Sequence, residues 1–263
     1  MQVTCHTGSV RNRDHSGDSM HEELKRLGQE LLSPVYDYFT GLKACIVERR
    51  FPLIITIVIA FIAGWWVYVP VHELFHAFGC ILGGGEVSRL ELSEIYGAAF
   101  LSRVFPFIST GSEYAGRLTG FETHNSDLIY LLTVFFPYLL TVFIGVPLLR
   151  FAGQGEMPSF QRCIWFGSSL PVAYAPFISM TGDYYEMGSI LVTGVASLFF
   201  PHFQVERWRS DDLIRLADEL VFSTDTVRTG DILGMIFSFL LGIIMIFLTY
   251  RAGRFWSRFA FKL

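Results

Sequence analysis

Charge is scarce in this chain. Asp, Glu, Lys and Arg make up 17% of its 263 residues, while 52% are hydrophobic. A soluble domain of this length carries more charge, and the mean hydropathy is +0.44. The net charge of -4 is too mild to imply a nucleic-acid partner. Cysteine is sparse as well: Cys5, Cys45, Cys80 and Cys163 show no CxxC or paired spacing, so neither a disulfide framework nor a zinc ribbon is indicated. Asparagine occurs only at Asn12 and Asn125, and neither starts an N-x-S/T acceptor. A cleavable signal peptide is not expected, because the first 50 residues are polar and charged and lack a short apolar core. Internal repeats and low-complexity tracts are absent from the sequence.

Long apolar runs are what the chain has in abundance. Stretches near ~20 residues, the length of one bilayer crossing, recur along it, and many of the 26 Phe read as lipid-facing or packing residues. The expected fold class is an α-helical polytopic membrane protein. It has about four transmembrane helices, a short β-hairpin after the first, and a broken third helix that binds metal. Three regions follow: a polar N-terminal region with an amphipathic helix (1–50), a membrane core (51–250) and a basic C-terminal tail (251–263).

Residues 1–18 read as disordered, and residues 21–39 place Leu24, Leu27 and Leu31 at helical spacing. The first span starts at Phe51, runs through Val69 and continues past Pro70 to Ile81 or Leu82, where Gly83-Gly84-Gly85 stops it. Residues 86–107, with Leu90 and Leu92 alternating with Glu91 and Ser93, predict the hairpin. A second span covers Leu128 to Leu149, and 153–162 is a polar connection. The third begins near Cys163, breaks around 181–186 and resumes. Such a break is tolerated only where protein or a water-filled cavity lines it. Ser210-Asp211-Asp212 starts a short helix carrying Leu213, Leu216, Ala217 and Leu220 on one face, and the last span is Ile232 to Tyr250.

At the end of the first span stands His72-Glu73-Leu74-Phe75-His76, an HExxH pattern. Residues i and i+4 share a helix face, so both imidazoles reach one ion, and Glu73 sits where it can hold and deprotonate a water. Two imidazoles and a carboxylate with an open fourth position suit Zn²⁺ in a hydrolytic site. Ionisable residues inside hydrocarbon are costly enough to imply a use. A third ligand at the same depth is therefore expected. Twenty-one residues separate Phe51 from His72, ~30 Å of helix, and twenty separate Cys163 from Asp183. The count nominates Asp183. Its plain alternative is a helix cap at the break, and Glu186 is the rival ligand. Glu94, Glu113, Asp127 and His124 read as solvated loop residues.

These residues carry a resemblance. The chain resembles the site-2 protease family of intramembrane zinc metalloproteases, in which an HExxH helix is followed by a β-hairpin that loops back into the membrane. A broken helix then supplies an Asp, usually within Asn-Pro-x-Pro-x-Pro-Leu-Asp-Gly. VHELFHAFGCILGGGEVSRLELSEIYG matches the first block in order and spacing, and APFISMTGDYYEMGS (175–189) the second. The Asn and the Pro-x-Pro run are missing, Pro176 remains, and Gly182 precedes Asp183 instead of following it. The stretch between the blocks leaves no room for a PDZ domain. The resemblance implies that His72, His76 and Asp183 bind zinc, that Glu73 is the catalytic base, and that the substrate is a transmembrane segment of another protein. An extended substrate strand would pair at the 86–107 hairpin.

Two other classes stay open: a membrane zinc protease of CAAX or housekeeping type that uses Glu186 as its ligand, and an inactive relative that binds membrane clients. Basic residues such as Lys43, Arg50, Arg150, Arg162, Arg251 and Arg254 crowd the side holding both termini, so the positive-inside rule expects cytoplasmic termini. That orientation puts the metal nearer the outside, whereas the resemblance implies a site nearer the cytoplasm.

Overall fold

The computed structural model describes residues 22–261, apart from 24, 26, 27, 48, 49, 113, 201, 203 and 224–226. The reading of residues 1–18 as disordered lies outside the described residues, as do Leu24, Leu27 and Glu113.

Helix α1 (Ser33–Ile46) turns a small or polar face inward, burying Ser33, Asp37, Gly41 and Cys45 at four-residue spacing. Tyr38 and Leu42 pack beside that face, while Val35, Tyr36 and Phe39 are exposed. Helix α2 (Phe51–Gly83) is 33 residues long and passes through Pro70 unbroken. At 1.5 Å per residue it is about 50 Å long. Its end has a local cause. Gly84 takes φ 94°, a left-handed conformation open to glycine at little cost. This lets the Gly84 N–H bond to the Ile81 carbonyl and that of Gly85 to the Cys80 carbonyl, closing the last turn.

The chain then forms a three-stranded sheet of order β2-β1-β3, with β1 Glu86–Leu92, β2 Ile108–Thr110 and β3 Gly116–Glu122. This corrects the expected hairpin. The strand at 86–92 forms, but its antiparallel partner is β3, with Glu86 opposite Glu122, and β2 pairs with it in parallel. A parallel neighbour needs a crossover, and residues 94–107 supply one through a 3-10 turn (Glu94–Tyr96) and the single helical turn α3 (Ala98–Leu101). Fully buried Leu90, Leu92 and Ala98 pack with Leu74 and Ile108, so the apolar residues read as a second strand instead seal the sheet against α2.

The second long stretch is not a uniform helix. It runs from α4 (Asp127–Phe135) through a 3-10 turn (Phe136–Tyr138) and a π turn (Thr141–Gly145) to α5 (Val146–Gln154). Pro137 and Pro147 remove helical N–H donors beside these irregular turns. The third is α6 (Ser159–Ile178), a break over 179–182, then α7 (Asp183–Phe199). After it, α8 (Leu213–Ala217) is capped by the Asp212 side chain, which accepts from the N–H groups of Ile214 and Arg215. Leu216 packs with Tyr185 and Met235, and Leu213 and Leu220 lie against them. Helix α9 (Thr229–Phe261) continues well beyond Tyr250, so the basic stretch from Arg251 belongs to its last turns.

Among the described residues four helical stretches are long and apolar enough to cross a membrane: Phe51–Gly83, Asp127–Gln154, Ser159–Phe199 and Thr229–Phe261. They pack through small residues. A Cβ at Gly242 of α9 would lie 2.5 Å from the Tyr184 carbonyl oxygen of α7, so only glycine allows that approach.

At one end of the bundle α1 is tied to α5 and α9 by buried charge. Asp37 Oδ2 lies 3.3 Å from Arg254 Nε and accepts from the Tyr250 hydroxyl at 3.1 Å, while Oδ1 lies 3.8 Å from Arg150 Nε. Glu30 faces Arg254 at 3.7 Å. Burial outweighs both guanidinium groups and pushes the Asp37 carboxyl above the usual carboxylate range. An intact buried pair of this kind adds little net stability, because desolvation offsets the attraction. Removing one partner is another matter, because it strands buried cations. Asp37→Ala is expected to destabilise the protein by roughly 3–5 kcal/mol and to expose α1 to proteolysis first, as read by denaturation in detergent and limited digestion.

Candidate metal centre

Because α2 is unbroken, His72 and His76 sit one turn apart on one face, both about nine-tenths buried. Each imidazole is oriented through its Nδ1. The Nδ1–H of His76 donates to the Thr133 carbonyl of α4 at 2.9 Å, and His72 Nδ1 meets the Tyr68 hydroxyl at 2.7 Å. This leaves both Nε2 atoms facing one another, 3.1 Å apart.

Asp183 is the first residue of α7, delivered by the break in the third stretch. The Gly182 and Tyr184 N–H groups bond to the Ser179 carbonyl, and the Thr181 carbonyl accepts from the Leu213 N–H, so the interrupted backbone keeps its partners inside protein. The chain restarts there with Asp183 Oδ2 aimed at the histidines, 3.4 Å from His72 Nε2 and 3.5 Å from His76 Nε2. The same oxygen accepts from the Tyr138 hydroxyl at 2.6 Å.

His72, His76 and Asp183 form a possible metal-binding triad, with their three donor atoms all within 4.8 Å of one another. The depth count thus meets its outcome: two separate chain segments bring these side chains to one point. The donors can be tested against an ion. With metal–ligand bonds near 2.0–2.1 Å, neighbouring ligand atoms of a tetrahedral site stand about 3.3 Å apart. The observed 3.1, 3.4 and 3.5 Å fit that edge. With both Nδ1 atoms engaged, two imidazole lone pairs and a carboxylate oxygen converge, an arrangement a cation suits.

Glu73 points elsewhere on the same helix, into a cavity of about 1370 Å³ that also exposes the triad. Its side chain lies against Gly116 at the start of β3, where a Cβ would stand 2.8 Å from the Glu73 Cδ. Glu186, one turn beyond Asp183, lines the same cavity but accepts from the Tyr130 hydroxyl at 2.5 Å and lies outside the mutually close set. Glu94 and His124 are exposed as expected. Asp127 is exposed too, yet it pairs with Arg209 at 2.8 Å and so pins the segment between α7 and α8 over the cavity. Across the mouth, Arg117 of β3 meets Asp211 of that segment at 2.6 Å.

Sequence reasoning missed Tyr68, Tyr138, the Thr133 carbonyl and Gly116. Tyr68 had a signal, its i−4 spacing from His72. Gly116 had none, since its partner is 43 positions away in the chain.

Compared with known protein families, curated proteins and solved structures, the chain finds no match.

The purified protein is expected to take up one divalent transition-metal ion per chain, and His76→Ala or Asp183→Ala to abolish uptake. Elemental analysis after dialysis measures this, and an Asp183→Ala protein with full occupancy would remove that residue from the ligand set.

Proposed function

We propose that the protein is a multi-pass membrane protein and an intramembrane zinc metalloprotease that hydrolyses peptide bonds in or near transmembrane segments of other proteins. One observation carries this reading: a triad of two imidazoles and a carboxylate with tetrahedral spacing, and a free-standing glutamate beside it, share a cavity along the C-terminal half of a helix apolar enough to span a bilayer. Zinc is the ion the His–His–Asp donor set fits best, and when bound it supplies Lewis acidity to the scissile carbonyl.

The chain's own residues do the rest. Glu73 takes the proton of the attacking water and hands it to the leaving amine. Tyr68, Thr133 and Tyr138 keep the ligands oriented. A substrate helix has its carbonyls already bonded, so it must unwind before cleavage. Strand β3 lies at the sheet's margin, with Gly116, Leu118 and Phe121 on the cavity wall. An extended substrate segment would pair there, along β3, in place of the expected 86–107 hairpin. Glu186, held by Tyr130 outside the donor set, gives the CAAX-type alternative no support.

Glu73→Gln is expected to keep its fold and its metal and to lose cleavage of reconstituted single-span peptides by about 10²–10⁴-fold, whereas His76→Ala loses both. Mass spectrometry of the products reads the result. A Gln variant that cuts at the wild-type rate would remove Glu73 as the base, and a wild-type protein that binds such peptides without cutting them would favour the client-binding class.

Orientation follows from charge. The basic residues Lys43, Arg150, Arg162, Arg251 and Arg254 lie toward the end of the bundle where α1, α5 and the last turns of α9 meet, opposite the cavity. We place that end, with both termini, in the cytoplasm. Single cysteines at residue 155 and near the C-terminus, introduced after replacement of the native cysteines, should resist an impermeant thiol reagent in intact cells. Labelling of both from outside would invert the topology and leave the chemistry unchanged.

A further inference from the structure

Each of the three triad residues is gripped from behind by an oxygen atom. For His76 that oxygen belongs to the backbone of Thr133. For His72 and Asp183 it is a phenol, Tyr68 and Tyr138 respectively. The two tyrosines reach the site by different routes. Tyr68 stands one helical turn before His72 on α2 and is 8% exposed. Tyr138 is fully buried and comes from the 3-10 turn at Phe136–Tyr138, which Pro137 places in the second stretch. Its ring also meets that of His72 edge-on, with centroids 5.6 Å apart, so it touches two of the three ligands.

A phenol has one proton to give. Tyr138 gives it to Asp183 Oδ2, the very oxygen that faces both imidazoles. The contact adds to those with the two imidazoles and pins the donor atom at its place in the triangle. Tyr68 works in the opposite sense on the His72 ring: its oxygen accepts from the Nδ1–H of the ligating tautomer, which leaves the Nε2 lone pair pointing to the centre. A third tyrosine nearby provides contrast. Tyr184 is equally buried and its ring lies 4.5 Å from that of Tyr138, yet its hydroxyl donates to Thr249 Oγ1 of α9, away from the site.

We propose that Tyr138 and Tyr68 are positioning residues of the metal centre, whose hydroxyls hold Asp183 Oδ2 and the His72 ring in ligating geometry. The proposal rests on the metal-site reading above. Groups that orient metal ligands in this way typically govern affinity by 10- to 100-fold.

The test uses the full-length protein in detergent, with Co²⁺ as a spectroscopic stand-in. Tyr138→Phe and Tyr68→Phe keep the ring and remove only the hydroxyl. Each is expected to weaken Co²⁺ binding by about 10- to 100-fold and to alter the visible ligand-field bands. Tyr184→Phe, which also loses a buried hydroxyl, should bind Co²⁺ like wild type, so a general loss of packing is distinguished from a loss of ligand positioning. Folded Tyr138→Phe with wild-type affinity and spectrum overturns the proposal while the metal site stands. If that variant does not fold, Tyr68→Phe decides on the same criterion. Wild-type protein that takes up no Co²⁺ overturns the proposal together with the metal-site reading.

Discussion

Three electron-rich atoms, two imidazole nitrogens and one carboxylate oxygen, stand 3.1 to 3.5 Å apart among apolar helices, and much of the molecule is arranged to hold them there. In a low-dielectric interior such a cluster is costly unless a cation joins it. Hydrogen bonds from behind determine which atoms face inward. The site therefore depends on polar groups placed at single positions within otherwise hydrophobic segments, and two of those positions, Tyr138 and Asp183, trace to an irregularity of the chain.

Those irregularities share a logic. The second stretch departs from α-helical form at Phe136–Tyr138, and so turns Tyr138 toward Asp183. The third stretch breaks at 179–182, and so presents Asp183 at the head of a new helix. Helix α2, by contrast, passes through Pro70 without interruption, which keeps His72 and His76 in register. Non-helical backbone between the long apolar helices is sustained because protein satisfies it, as where Leu213 donates to the Thr181 carbonyl. The sheet and the segment between α7 and α8 cover the resulting cavity. That segment is tied by Arg209 to Asp127 and by Arg207 to Asp231, and to the sheet by the exposed Arg117–Asp211 pair. Exposed pairs are weak, so the cover is held more firmly to the helices than to β3.

Much of this was legible from residue order alone. The four long apolar stretches follow from hydropathy and length, and the stop after Gly83 from what glycine permits in a left-handed turn. The shared face of His72 and His76 follows from the helical repeat, and the common depth of Asp183 from a constant rise per residue. All of these are short-range or additive properties, which a linear reading captures.

What the tertiary structure alone decided is of another kind. The antiparallel partner of β1 proved to be β3, thirty positions on, because intervening apolar residues such as Ala98, Leu101 and Phe105 pack in the cluster that joins the sheet to α2 instead of forming the second strand of a hairpin. Asp183 and Glu186 stand one turn apart and were both eligible by depth. The turn at 179–182 aimed the first at the histidines, while Tyr130 took the second. The contacts of Tyr138 with Asp183 and of Gly116 with Glu73 join residues more than forty positions apart. Periodicity and propensity report on a few neighbouring residues. Which hydroxyl meets which carboxylate depends on how whole elements pack, and that is settled only when the chain closes on itself.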